Sequence, residues 1–176
     1  MLLGTIDEDR LLAARMLHKA KQGNRLQQRI EGGDMPPMSK WRRLEAEGVA
    51  PEFPRYTEED LRCLTVGVYQ LKLAPQYTHD HLNDGNYVIY ISDDVTGVIG
   101  AKVQSRHSSA KQYRCWVEYA EGTILAWYCQ CKAGSRVVGM CAHVTSVLWY
   151  MCIQRHQSTP ASGVRNWGDC VSDARL

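Results

Sequence analysis

Long apolar runs are missing from this 176-residue chain. No stretch approaches the roughly 18 to 20 consecutive apolar residues of a membrane-spanning helix, so no membrane partner is expected. The apolar start, Met1 to Ile6, is too short for a secretory leader and gives way at once to Asp7, Glu8 and Asp9. Phenylalanine is almost absent, with one residue against nine Tyr and five Trp. Rings with a polar tip suit half-buried surfaces and interfaces, and most of these are expected on strands and in the core. A dominant charge is missing too: Lys and Arg number 21 against 19 Asp and Glu, a net charge of +2, which in bulk gives no reason to expect nucleic-acid binding. A disulfide framework is also excluded. Seven Cys is an odd number, and with nothing at the start that reads as a leader the chain is expected in a reducing, intracellular compartment, where clustered thiols hold metal more often than they pair.

What is present is a globular composition, 44% hydrophobic and 23% charged, which rules out disorder throughout. The first half reads as helical. Asp7 or Asp9 can open a helix through Leu11, Leu12, Met16 and Leu17 toward Gly23 or beyond, while Gly32, Gly33, Pro36 and Pro37 mark a linker with a short helix near Ser39 and Trp41. Thr57 followed by Glu58, Glu59 and Asp60 is a helix start leading into Leu61, Leu64, Val68 and Leu71, with Gly67 and Pro75 as its limits and a further short helix from Thr78.

After Asp84-Gly85 the period changes from helical to alternating. Tyr87 to Ile91, Val98 to Gln104, Gln112 to Tyr119 and Thr123 to Gln130 are rich in β-branched and aromatic residues, and Asp93-Asp94, Ser108-Ser109 and Glu121-Gly122 between them are turn chemistry. Four antiparallel strands are therefore expected. Alternation in the third puts Tyr113, Cys115, Val117 and Tyr119 on one face and Arg114, Trp116 and Glu118 on the other. Ala142 to His156 reads as a helix, and Trp149, Tyr150 and Ile153 cover so much of its circumference that it is either well buried in the domain or offers an apolar flank to a partner. The tail from Gln157 carries Val164, Trp167 and Val171, able to dock as a last short segment.

The chemistry concentrates in Cys129-Gln-Cys131, nine residues, and Cys141-Ala-His143. Three thiolates and one imidazole complete a tetrahedral shell for Zn²⁺, leaving no open position for a catalytic water, so the site is read as structural and the chain as no enzyme. Cys129 and Cys131, two apart at a strand end, leave the same face. Cys141 and His143 cannot do so on a regular helix, so Cys141 is expected just before the helix and His143 in its first turn. Gly134 and Gly139 let the chain reverse between the pairs, and Lys132 and Arg136 offset the formal charge of the site. A triad around one activated thiol is not supported, because the thiols cluster like ligands. Of the remaining cysteines, Cys63, Cys115 and Cys152 fall on apolar faces as small hydrophobes, and Cys170 is left over. His79, Asp80 and His81 read as a solvated loop or helix start, and His107 as a turn residue.

From Gly100 to Ser158 the chain has seven basic residues against two acidic, a local excess of +5. That bias is compatible with phosphate contacts, for which Arg106, Lys111, Lys132 and Arg136 are the candidates, and also with a merely solvated face.

The segment YCQCKAGSRVVGMCAHVTSVLWY, Tyr128 to Tyr150, closely resembles the SWIM-type zinc finger. The resemblance implies a small ββα fold in which Cys129, Cys131, Cys141 and His143 bind zinc, and a role in DNA or protein binding. The surrounding VQSRHSSAKQYRCWVEY and LTVGVYQLKLAPQYTHDHL resemble animal SWIM proteins linked to transposable elements, over roughly Leu61 to Asp173. They imply a transposon-derived, nuclear protein; the nuclease that accompanies such fingers cannot be laid onto the first sixty residues. The resulting expectation is an α+β chain with a helical N-terminal half and an antiparallel sheet plus zinc finger in the C-terminal half. Its organisation is read as a helical and linker segment over 1–56, a helical lead-in over 57–84, the sheet and finger over 85–158 with the finger core at about 113–153, and a tail over 159–176. Its function is read as a zinc-dependent DNA- or protein-binding module with no small-molecule substrate, the alternative being an interaction adaptor that binds no nucleic acid.

Overall fold

The computed structural model describes residues 23–44, 50, 52–65, 68–82, 87–105, 108–133 and 140–157, with the backbone alone at 68, 79–82, 87 and 108–110. The expected helix from Asp7 or Asp9, the turns at Asp84-Gly85 and Gly134 to Gly139, and the tail with Val164, Trp167 and Val171 lie outside the described residues. The fold is α+β. Among the described residues, helix α1 (Arg25–Glu31), a 3-10 turn (Met38–Lys40) and strand β1 (Arg42–Arg43) come first. Helices α2 (Glu58–Thr65) and α3 (Val68–Leu82) follow, then β2 (Tyr87–Ile91), β3 (Val98–Ser105), β4 (Ser108–Ala120), β5 (Thr123–Cys129), helix α4 (Ala142–Cys152) and a 3-10 turn (Gln154–His156).

The strands form one antiparallel sheet in chain order, β1-β2-β3-β4-β5. Four strands were expected and five are found among the described residues, because Arg42 and Arg43 pair with Ile91 and Tyr90. A two-residue edge strand is too short to show any alternation in sequence. The β4–β5 hairpin closes on Glu121 and Gly122, both at positive φ (49° and 71°), between the paired residues Ala120 and Thr123. This is the two-residue turn whose backbone twist matches that of the flanking strands. A register shift between Glu118 and Tyr119 then moves the rest of the pairing by one residue, so that Cys115 faces Cys129.

Alternation along the strands gives the sheet a buried inner face and a partly covered outer one. On the inner face Ile89, Ile99, Ala101, Val103, Cys115 and Val117 pack with Val144, Val147, Leu148 and Met151 of α4 in the main core. Helix α3 lies along α4. It is one continuous helix with Pro75 inside it, not two pieces ending and starting around Pro75. Proline costs a backbone bond there, and the burial of Leu71, Ala74, Tyr77 and Thr78 along one side offsets that loss. The outer face is covered over half its length by Leu26, Met35, Met38 and Trp41, which pack on Val98, Trp116 and Tyr128. The stretch read as a linker is thus a packed layer. Asn24 Nδ2 donates to the Trp127 carbonyl (2.8 Å), Tyr128 Oη to Glu31 (2.6 Å), and Arg29 pairs with Glu118.

Helix α2 starts as its sequence predicts. The Thr57 hydroxyl accepts from the Asp60 amide (3.2 Å), while the Asp60 carboxylate accepts from the Thr57 amide (2.8 Å) and hydroxyl (2.7 Å). These bonds from Thr57 hold the Asp60 carboxyl below its ordinary value. A lowered carboxyl stabilises the fold above the unfolded pKa and ceases to do so as pH falls through the folded one. Thr57→Ala is expected to cost about 1 kcal/mol at neutral pH in urea unfolding, with the difference from the parent shrinking as Asp60 is protonated.

Candidate metal centre

The metal centre is assembled where β5 ends and α4 begins. β5 runs into the site through Tyr128 and Cys129, and Cys131 follows one residue beyond Gln130, so both thiols leave toward the inner face of the sheet. Cys141 is the N-cap of α4: its backbone is extended (φ −80°, ψ 161°) and its sulfur accepts the Val144 amide at 3.5 Å. His143 sits in the first helical turn. The helix start is locked by Thr145 Oγ1 donating to the Cys141 carbonyl (3.1 Å) and Ser146 Oγ to the His143 carbonyl (2.8 Å). A thiolate at a helix N-terminus is favoured by the unpaired amides and the dipole.

All four side chains are buried, and their ligand atoms lie within 4.8 Å of one another. Cys129 Sγ is 3.9 Å from His143 Nδ1. The His143 ring is held between two tyrosines, Tyr113 at 4.8 Å and Tyr77 at 5.9 Å between centroids, and Tyr77 is itself fixed by its hydroxyl on the Gln104 carbonyl. The sulfurs shift one another's acidity in opposite directions. Hydrogen bonds from Cys129 and Cys141 hold the Cys131 thiol well below its ordinary value. Bonding to Cys115 and Cys131, with burial, pushes Cys129 up, and bonding to Cys129 and Cys131, with burial, does the same to Cys141. A metal ion bound there would take the place of the protons these thiols share.

Such a cluster can hold a metal ion. The chain matches no family model, no curated protein and no solved structure.

The Cys3His cluster is the part of the sequence reading that the structure brings together, with the strand end, helix cap and first turn each where spacing put them. The basic candidates divide. Lys132 is exposed beside the cluster, and exposed Lys111 lies 5.0 Å over the Tyr113 ring, next to His143; Arg106, Arg136 and His107 lie outside the described residues. His79, Asp80 and His81 fall within α3, with side chains outside the description.

The other cysteines differ from expectation in part. Cys152 is buried, and burial pushes its thiol up to about 12, as suits a packed, inert residue. Cys63 is exposed on α2 rather than packed, and Cys170 lies outside the described residues. Cys115 is fully buried, and its sulfur is 3.3 Å from that of Cys129. Its alternation with Tyr113 was visible in the sequence; its position opposite a ligand was not. Of the two alternatives for α4, buried helix or apolar flank, the structure adopts the buried one: Trp149 is buried and Tyr150 half-buried against the core.

Proposed function

We propose that this protein is a zinc-stabilised binding module in which β4, β5 and α4 form a finger of the SWIM type, and that its basic sheet end contacts nucleic-acid phosphates. The observation that carries the zinc reading is the buried Cys3His set within 4.8 Å. Tetrahedral zinc, with bonds of about 2.3 Å to sulfur and 2.0 Å to nitrogen, needs its ligand atoms about 3.5 to 3.8 Å apart, a small contraction from what is seen. Three soft thiolates and an imidazole suit zinc better than the hard, oxygen-seeking cations. With four protein ligands the ion has no free position, so its role is structural rather than catalytic.

The distribution of charge along the sheet supports phosphate binding. Lys102, Lys111, Arg114 and Lys132 gather at the end that carries the cluster, whereas at the end with the β2–β3 and β4–β5 turns the acids Asp93, Asp94, Glu118 and Glu121 stand among basic residues, Arg42 pairing with Asp93 and Arg29 with Glu118. Lys102 and Arg114 are directly opposed on neighbouring strands. Like charges so placed repel, and a phosphate between them removes the repulsion. Gln104, Gln112 and Gln130 extend this polar strip across the half of the outer face that α1 and Trp41 leave open. The rival adaptor reading depended on an open Trp149 and Tyr150 flank, of which Trp149 is buried and Tyr150 half-buried. Nuclear residence and a mobile-element origin follow from the SWIM resemblance alone and belong to this proposal.

Binding of a labelled DNA duplex, and of a single strand, is expected to weaken steeply between 50 and 200 mM salt, on the order of tenfold or more for a few phosphate contacts. Lys102→Ala with Arg114→Ala should lower the slope of log K against log salt by about 2, roughly 1 per charge. Binding indifferent to salt, or absent at low salt, would count against the nucleic-acid reading and leave the zinc reading intact.

A further inference from the structure

A fifth donor reaches the cluster from the neighbouring strand. Cys115 lies directly across from Cys129 in the β4–β5 register. The Gln130 amide donates to the Arg114 carbonyl at 3.0 Å, which makes Arg114 and Gln130 a hydrogen-bonded pair and Cys115 with Cys129 a non-hydrogen-bonded one. In pairs of that kind the side chains stand closest together. Both residues are fully buried, and their sulfurs lie 3.3 Å apart, within hydrogen-bond reach.

We propose that Cys115 is a positioning residue of the metal centre, whose S–H donates to the Cys129 thiolate and so raises the affinity of the site for metal. The inference rests on the zinc reading above. A centre of three thiolates, a neutral imidazole and Zn²⁺ carries one net negative charge, and burial makes that excess costly. Two of the three sulfurs receive a donor that spreads it: Cys141 from the Val144 amide at 3.5 Å, Cys129 from Cys115. The same bond fixes the rotamer of Cys129 before metal arrives, as the outer partners of metal ligands generally do. A space-filling role makes a different demand, since valine or alanine would then serve as well.

The test is zinc affinity of the full chain, by competition with a chromophoric chelator under a phosphine reductant, for the parent, Cys115→Ser, Cys115→Val and Cys115→Ala. Each is also loaded with Co²⁺ for its sulfur-to-cobalt absorption bands. The valine and alanine variants are expected to bind zinc about 10- to 100-fold more weakly, with the charge-transfer bands moved to lower energy because the sulfur has lost its donor. The serine variant, which keeps a donor, should stay within a few-fold of the parent and guards against the larger substitution misfolding. Parental affinity and spectrum in the valine or alanine variant, or a serine variant as weak as they are, overturns the proposal while the zinc site stands. Failure of the parent chain itself to take up zinc overturns the underlying reading, and this proposal with it.

Discussion

Stripping zinc from the purified protein with a chelator is expected to lower its unfolding midpoint by about 10 to 20 °C and to open the junction between β5 and α4. Structural zinc contributes about 10 to 16 kcal/mol in isolated finger peptides, as much as the whole stability of an ordinary domain. Here the effect should be smaller and local, because α4 does not depend on metal alone. Val144, Val147, Leu148 and Met151 are fully buried against the sheet and α3. About 5 kcal/mol lost in a chain of this size corresponds to the shift stated. Hydrogen exchange should show where it falls: the amides of Cys131 and of Val144 and Thr145 lose protection, while those of β3 and the middle of β4 keep theirs. Cys131→Ser and His143→Ala should behave like the chelated parent, and elemental analysis should find one zinc per chain in the parent and little in either variant. A reduced, folded parent without zinc would sink the finger reading.

The Cys3His cluster was legible because a metal-ligand set is a short-range demand written in residue type and spacing. Two ligands at a strand end and two at a helix start, with nine residues between, leave few arrangements, and Cys141 as N-cap with His143 in the first turn is the one adopted. The four long strands were legible for a similar reason, their alternation being local. What sequence did not yield depends on register. The Glu121-Gly122 turn alone would set Cys115 opposite Tyr128; the shift at Glu118 and Tyr119 sets it opposite Cys129 instead, on the same face. Such an irregularity has no signature in residue type here. Pro75 misled in the other direction, because a helix boundary is only a local preference and the packing of α3 on α4 overrides it.

Trp41→Ala should give the second-largest loss, about 3 to 5 kcal/mol for a buried indole, without loss of zinc. Trp41 is the keystone of the outer layer: it is 5% exposed, donates its ring N–H to the Pro36 carbonyl at 3.1 Å, and lies over Gly100. Gly100 is bare for that purpose, since a Cβ there would stand 2.6 Å from Met38 Cε and 3.4 Å from the Trp41 ring. The proline and glycine flanking this segment led to its being read as a linker, yet they direct Met35, Met38 and Trp41 onto Val98, Trp116 and Tyr128. Removing the indole exposes the stacked pair of Trp116 and Tyr128, whose rings lie 5.8 Å apart at 12°. The unfolding midpoint should therefore fall by about 6 to 20 °C, and the tryptophan emission that remains should move to longer wavelength. Leu125→Ala, at a side chain 45% exposed, should change stability by no more than about 0.5 kcal/mol and serves as the control. Because the metal ligands meet on the opposite face, the Trp41 variant should still carry one zinc per chain. Loss of zinc along with stability would mean that the outer layer and the metal centre fold as one unit, with the sheet transmitting strain between its faces.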